Sequence, residues 1–330
     1  MNTVEYCQTP RVRLEFARRP YHPPVPLAVG RGRLALAAVI CVLASFAPWA
    51  WPAHAHAASF DFGGVPRTYT VHVPAGVERP TGLVVNLHAA GATGQDQAAL
   101  THYDAVSDAN GFLVVYPDGI DLSWADGRGA SVPDRQGIDD VGFITALVGK
   151  LVTDYGIDPG RVFATGLSAG AFMANRLACD RADVFAAVAP VAGTLGTNVG
   201  CNPSRPVSVF ETHGTADPVV PYGGGVMTGR GGDSNILPAQ AMVDRWRQLD
   251  GCQDAPAQEV LPNTGDGTVT TRFTSSACAA GASVVAIRVD GGGHTWPNSP
   301  VFLPEESIGL TTHAFDASDA SWQFFAAHAR

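Results

Sequence analysis

From Tyr69 onward the apolar residues gather in short continuous runs, separated by polar and glycine-containing stretches. The runs are Tyr69 to Val73, Leu83 to Leu87, Phe112 to Tyr116, Val162 to Thr165, Phe185 to Val191, Val207 to Glu211 and Val284 to Val289. Runs of this length read as strands. The central ones are continuous rather than alternating, as expected where both sheet faces are covered. Between them the period changes. In Asp139 to Tyr155, residues Val141, Ile144, Leu147, Val148 and Leu151 recur at helical spacing. Ala169 to Cys179, Pro238 to Leu249 and Phe315 to Ala327 are further predicted helices. Alternating strands and helices predict a mostly parallel α/β sheet with right-handed crossovers and helices on both faces. No internal repeat interrupts the pattern. No Ser/Thr/Pro-rich linker follows the core, so no appended binding module is expected.

The N-terminal segment follows another rule. Residues 1 to 33 are rich in Arg and Pro and show no periodicity, while Leu34 to Trp51 is apolar and uncharged. Small residues in Pro52-Ala-His-Ala-His-Ala57 complete the plan of a secretory signal, with Arg31 and Arg33 as its basic flank. Cleavage is expected after Ala57, with Ala55 as second choice, and translation is expected to begin near Val29. The length of the apolar stretch is also borderline for a membrane anchor. The resulting division is a removed segment, 1–57, and one catalytic domain, 58–330. The mature protein is expected to be extracellular, without stable membrane association.

Charge and cysteines support that reading. The leader holds six Arg and two acidic residues. Of the 21 basic and 30 acidic side chains in the chain, 15 and 28 remain, a net of −13. Such a surface argues against nucleic acid and anionic membranes as partners. Cys7 and Cys41 fall in the leader, leaving Cys179, Cys201, Cys252 and Cys278. An even count in an exported chain predicts two disulfides, and nearest-neighbour pairing closes two loops of similar size. The spacings contain no Cys-x-x-Cys, which speaks against zinc.

The chemistry starts at Gly166-Leu167-Ser168-Ala169-Gly170, which follows a predicted strand and opens a predicted helix. In that context a Gly-x-Ser-x-Gly turn lifts a serine hydroxyl out of the sheet as a nucleophile. The plain alternative is a glycine-rich turn with a solvated serine. A serine nucleophile needs a base and a carboxylate to orient that base, both from loops at the C-terminal strand ends. Asp217 sits in a turn just past the strand ending near Glu211, and Pro218 follows it. His294 follows three glycines after the last predicted strand. His88, His213, His313 and His328 compete as bases, but only His294 lies on a new strand end after the acid. The order Ser168, Asp217, His294 is that of α/β-hydrolases. The oxyanion hole is assigned to the backbone amides of Ala169 and Ala90, with Ala89 as alternative to Ala90. Trp124, Tyr222 and Trp296 are candidate pocket aromatics, with ordinary packing as the alternative.

Read together, several pieces resemble the secreted polyhydroxybutyrate depolymerase and feruloyl esterase group, often classed with the first carbohydrate esterase family. They are Arg67 to Val71, Leu87-His88, Tyr116 to Gly119, Trp124 with Asp126-Gly-Arg128, Asp139 to Phe143, Gly166 to Gly170, His213 to Asp217 with Pro221-Tyr222, and Gly291 to Pro297. They run in order across nearly all of the chain after the leader. The resemblance implies an α/β-hydrolase fold and a serine carboxylesterase with Ser168, Asp217 and His294 as triad, without metal or cofactor. It also names the expected substrates, feruloyl-type or hydroxybutyrate-oligomer esters. One departure is visible: the group usually has His-Gly where this chain has His88-Ala89, which narrows the backbone freedom of the oxyanion loop.

Other readings stay open from sequence. One is a depolymerase acting on polymer. Another is a cell-wall acyltransferase or a peptidase on the same scaffold. A third is a non-catalytic binding protein that kept the fold. Three features are read as structural. Asp139 and Asp140 cap a helix start. His54 and His56 fall in the leader and are not metal ligands. Gly223 to Gly225 and Gly229 to Gly232 form a mobile surface loop rather than a phosphate loop.

Overall fold

The computed structural model describes residues 54–330. The expected start near Val29, the apolar run from Leu34 to Trp51, Cys7 and Cys41 lie outside them. The described strands are β1 (His54–Phe62), β2 (Val65–Val73), β3 (Leu83–Leu87), β4 (Leu113–Pro117), β5 (Val162–Leu167), β6 (Ala187–Val191), β7 (Ser208–Gly214), β8 (Gly225–Gly229), β9 (Gly232–Ile236), β10 (Ala257–Val260), β11 (Val269–Ser275) and β12 (Val284–Asp290). The helices are α1 (Gly94–Thr101), α2 (Tyr103–Asn110), α3 (Val132–Gln136), α4 (Asp140–Tyr155), α5 (Ala169–Asp180), α6 (Ala239–Leu249), α7 (Glu305–Ile308) and α8 (Ala317–Ala327).

Ten of these strands form one sheet in the order β1-β2-β4-β3-β5-β6-β7-β12-β11-β10. Its centre, from β4 to β12, is parallel, and the pairs at both ends are antiparallel. This is the α/β-hydrolase architecture. Every residue of β3, β4, β5, β6 and β7 is buried, which explains why these strands read as continuous apolar runs. Alternation survives in where the side chains go. Leu83, Val85 and Leu87 join a core with Leu147 of α4, Met173 of α5 and Trp246 of α6. Val84, Val114 and Phe163 join a second core with Tyr103 of α2 and Trp322 and Phe325 of α8. Phe112 stacks on Trp322 at 3.8 Å between ring centroids, and Phe163 on Phe325 at 4.8 Å. Cutting any of these side chains to alanine would cost about 2–5 kcal/mol.

β1 begins ahead of the expected cleavage point, pairing Ala57 with Thr70 and His54 with Val73. The two expected disulfides are present: Cys179 with Cys201, and Cys252 with Cys278. Two expectations need correction. Only Asp139 caps α4, accepting from the Gly142 amide at 2.7 Å. Asp140 is buried, taking Arg67 Nη2 at 2.6 Å and the Ala125 amide at 2.7 Å. The glycine-rich segment after Pro221 is a two-stranded hairpin, β8 and β9, and not an irregular loop. Among the described residues no helix is long and apolar enough to cross a membrane.

Candidate active site

Ser168 stands alone between the last residue of β5 and the first of α5, with φ 57° and ψ −118°. A non-glycine residue in such a conformation carries about 1–3 kcal/mol of strain and persists only where its surroundings hold it. Here the Ser168 amide donates to the Val191 carbonyl at 3.0 Å, and its own carbonyl accepts from the Phe172 amide at 3.0 Å. The turn also needs strand and helix to pass closely. A Cβ on Gly170 would collide with the Leu87 carbonyl of β3.

Asp217 and His294 arrive from neighbouring parallel strands. β7 and β12 pair in register, His213 opposite Arg288 and Gly214 opposite Val289, so the loops that follow them emerge side by side. The Asp217 side chain is fully buried. Its Oδ1 accepts from the Val219 and Val220 amides, both at 2.8 Å, and its Oδ2 accepts from His294 Nδ1 at 2.8 Å. The carboxylate is thus held by three donors. With Nδ1–H committed to Asp217, the neutral imidazole presents Nε2 as a proton acceptor. The His294 loop is clamped from behind by its own amide, donating to the Ile308 carbonyl at 2.6 Å. A Cβ on Gly293 would strike that same carbonyl, so glycine is required there.

Ala90 and Ala169 both line the cavity beside Ser168 and His294. Ala169 is the first residue of α5, and a helix supplies no internal acceptor for its first amides. His88 sets the other loop. The Gly119 amide donates to His88 Nε2 at 2.9 Å, so the ring proton sits on Nδ1, which donates to the Ala89 carbonyl at 2.9 Å. Burial lowers the proton affinity of His88, in keeping with a neutral ring. In a trans peptide the C=O and N–H point in opposite directions. Fixing the Ala89 carbonyl therefore fixes the aim of the Ala90 amide. Ala89 is not among the residues with positive φ, so its methyl group brings no backbone strain there.

The cavity has a volume of about 570 Å³. Its lining is mostly small and aliphatic, with Leu100, Leu167, Val219 and Met227, but Asp96, Gln97, Arg128 and Arg230 also reach it and no Phe, Tyr or Trp among the described residues does. The three aromatic candidates are elsewhere. Trp124 is fully buried, packs tilted against the His88 ring at 4.6 Å and donates to the His88 carbonyl at 2.9 Å. Trp296 lies in the core on the α8 side and donates to Ser318 Oγ at 3.1 Å. Tyr222 sits edge-on to His213 at 5.7 Å. None of the three lines the cavity, and Trp124 and Trp296 spend their indole N–H groups on neighbours behind it.

Sequence reading missed the opposite wall, where Met227, Thr228, Arg230 and Gly231 of the hairpin face the cavity. Arg128 bridges floor and wall. Its guanidinium is held by both Asp126 oxygens at 2.7 and 3.0 Å, lies 3.7 Å from the Phe172 ring, and meets Met227 Sδ at 3.2 Å. The Asp126-Gly-Arg128 tripeptide was a signal, but spacing alone did not give its role. The mouth is apolar and open: Val219, Val301 and Leu303 line it, and the adjacent Phe302 is 82% exposed.

Residues 67–222 match the family described as esterase PHB depolymerase. The chain is 30% identical over 275 residues to NocK of Nocardia uniformis subsp. tsuyamanensis, which carries an esterase name; the match covers 79% of each protein. It is 29% identical over 269 residues to feruloyl esterase C of Emericella nidulans, covering 79% of this chain and 84% of that one. An acetyl xylan esterase from Aspergillus awamori superposes with a TM-score of 0.50 at 21% identity, covering 73% of this chain and 94% of the other, a likeness of fold.

Proposed function

The chain belongs to the esterase PHB depolymerase family and is a carboxylic ester hydrolase, and from that premise we propose that it works through Ser168, His294 and Asp217 as a serine esterase. The observation that carries the reading is the 2.8 Å bond from His294 Nδ1 to a fully buried Asp217 carboxylate, with Ser168 and His294 on one cavity. Ser168 Oγ attacks the ester carbonyl and His294 Nε2 takes its proton. The same imidazolium then protonates the leaving alcohol. Asp217 holds the ring in the required tautomer and offsets the charge that develops on it. The Ala169 and Ala90 amides receive the oxyanion. Water, activated by His294, releases the acyl group and restores Ser168.

The mostly apolar cavity suits a short acyl chain better than a phenolic ring, which finds no aromatic stacking partner there. Hydroxybutyrate oligomers are therefore the first substrate class. Feruloyl-type esters are second, supported by the relative named as a feruloyl esterase. The open apolar mouth around Phe302 favours a further reading, action at the surface of insoluble polyester. Export rests on the leader pattern and on the two disulfides, which persist in oxidising compartments. The domain is proposed to start after Ala57, and N-terminal sequencing of the mature protein checks this.

The deciding experiment measures hydroxybutyrate oligomers, methyl ferulate, p-nitrophenyl butyrate and polymer film side by side, with Ser168→Ala as control. The expected result is turnover of the soluble esters, highest for the oligomers, and loss by about 10⁶-fold in Ser168→Ala. Near-wild-type turnover by that variant would sink the nucleophile. Clearing of film with negligible turnover of soluble esters would move the substrate to polymer.

A further inference from the structure

Directly behind the proposed acid lies a second pair of ionisable side chains that the reaction does not use. Glu211 and His213 are two residues apart on β7, so they share one face of the strand. Both are 2% exposed. Glu211 Oε1 stands 3.7 Å from His213 Nδ1, too far for a hydrogen bond and close enough for strong electrostatic coupling. Neither carboxylate oxygen of Glu211 has a hydrogen-bond partner, and neither does His213 Nδ1. Buried groups left in this way face each other for want of anything else, and a shift of under about 1 Å would join them.

The other edge of the His213 ring is engaged. Nε2–H donates to the Val220 carbonyl at 2.9 Å and lies 3.6 Å from Asp217 Oδ2. Val220 is the residue whose amide grips Asp217 Oδ1. His213 therefore holds one end of Val220 while Asp217 is held by the other. The remaining groups facing the pair are the Tyr222 ring and Asn175 of α5, whose side-chain oxygen already accepts from Trp246 Nε1 at 3.1 Å.

We propose that Glu211 and His213 are a buried positioning pair for Asp217: His213 braces the Val219–Val220 amides on the carboxylate, and Glu211 orients the His213 ring by facing its Nδ1. Burial pushes the Glu211 carboxyl up to about 7, while His213 beside it pulls the other way. Burial opposes a charge on His213, but Glu211, the Val220 carbonyl and Asp217 together outweigh it and raise its proton affinity. The nitrogen facing Val220 carries a proton because the Val220 carbonyl can only accept. The inference rests on the triad reading, since it gives the pair its purpose through Asp217.

The test uses the two amides that mimic one ring nitrogen each. In His213→Gln the side-chain NH₂ reaches the place of Nε2 and retains the bond to Val220. In His213→Asn it reaches only the place of Nδ1. On p-nitrophenyl butyrate, His213→Asn is expected to lose kcat by about 10- to 100-fold with KM within about twofold, while His213→Gln recovers to within about fivefold of wild type. The far-downfield proton resonance of the His294–Asp217 hydrogen bond should weaken in His213→Asn and persist in His213→Gln. In an Asp217→Asn background, His213→Asn should add almost nothing. Wild-type kcat in folded His213→Asn, or equal losses in the two variants, overturns the proposal. If His213→Asn does not fold, Glu211→Met decides. It leaves the ring in place without its partner, and at least a tenfold loss of kcat is expected, against which wild-type kcat overturns the pair. Activity surviving in Ser168→Ala would instead remove the triad reading itself, a separate outcome.

Discussion

The two sides of the cavity are built differently. On the floor, Ser168, Asp217 and His294 each sit just beyond a strand of the parallel sheet, and β5 and β7 are buried throughout. Backbone ladders and backbone amides place each member of the proposed triad. On the facing wall, β8 buries only Met227 and β9 only Ser234 and Ile236; β9 is tied to the fold by a Gly196–Ile236 bridge and the Thr197–Asn235 backbone bond, and the rest of the hairpin by a few side chains. Arg128 reaches Met227, Arg135 Nη1 donates to the Gly231 carbonyl at 2.5 Å, and Arg230 pairs with Asp121 at 3.4 Å. The floor cannot change without loss of the fold. The wall has more freedom, because outside the β9 attachment to residues 195–197 and the Met227–Ile236 cluster it is held by exposed or part-buried side chains. Chemistry and selectivity are thereby separable on this scaffold.

The largest expected effect tests the floor's chemistry. Asp217→Asn keeps the shape but offers His294 the wrong partner, and kcat should fall by about 10⁴-fold with the melting temperature little changed. A loss under tenfold would mean that the carboxylate is not orienting the base. Next, Gly170→Ala attacks the floor's geometry through the collision with the Leu87 carbonyl. A destabilisation of about 3 kcal/mol is expected in urea titration, with activity lost in parallel. A variant as stable as wild type would show that the elbow has slack. Met227→Ala tests the wall. It should change KM by about three- to tenfold, differently for short and long acyl esters, and leave kcat on p-nitrophenyl acetate within about twofold. A uniform loss of kcat across substrates would show that the wall takes part in the chemistry.

How legible these regions were from sequence follows the same division. β3, β5 and β7 announced themselves because strands buried on both faces must be apolar throughout. Ser168, Asp217 and His294 were legible because each lies just past such a run, among glycines and prolines that permit one kind of turn. Met227 gave no signal, since a lone methionine between glycines has no period. The hairpin read as a loop because glycine clusters masked the alternation of Met227, Ser234 and Ile236. β11 was missed for a related reason: Val269–Ser275 is mostly polar, and its strand character comes from pairing with β12. Sequence places Trp124 and Trp296 near the site but cannot say on which side of the backbone they fall. Glu211 read only as the end of a strand, and its facing of His213 needed the structure to be seen.

The smallest predicted effect lies outside both regions and calibrates them. Asp250 is fully buried, with its Oδ1 accepting from the Val207 amide at 3.0 Å and its Oδ2 without a partner. Burial pushes its carboxyl up to about 7, against the pull of that amide. The folded state thus binds this proton more tightly than the unfolded chain. Its contribution is full below the ordinary carboxylate range and is lost as pH rises towards 7. Asp250→Asn keeps the acceptor and cannot ionise. It should raise the melting temperature at pH 8 by roughly 2–4 °C, leave it unchanged near pH 4, and flatten the slope between. An unaltered slope would show that Asp250 does not carry the pH dependence, and esterase activity should be unaffected at either pH.

The backbone of Ser168 has an evolutionary corollary. At φ 57° glycine is the residue the local conformation favours, and serine is held there against that preference. Relaxing selection on hydrolysis would let drift reward Ser168→Gly with a firmer protein, while leaving the elbow, the cavity and the Asp217–His294 bond intact. Descendants of this chain that had become silent binding proteins would then be recognisable by a single codon, a Gly-x-Gly-x-Gly turn on an otherwise complete active site.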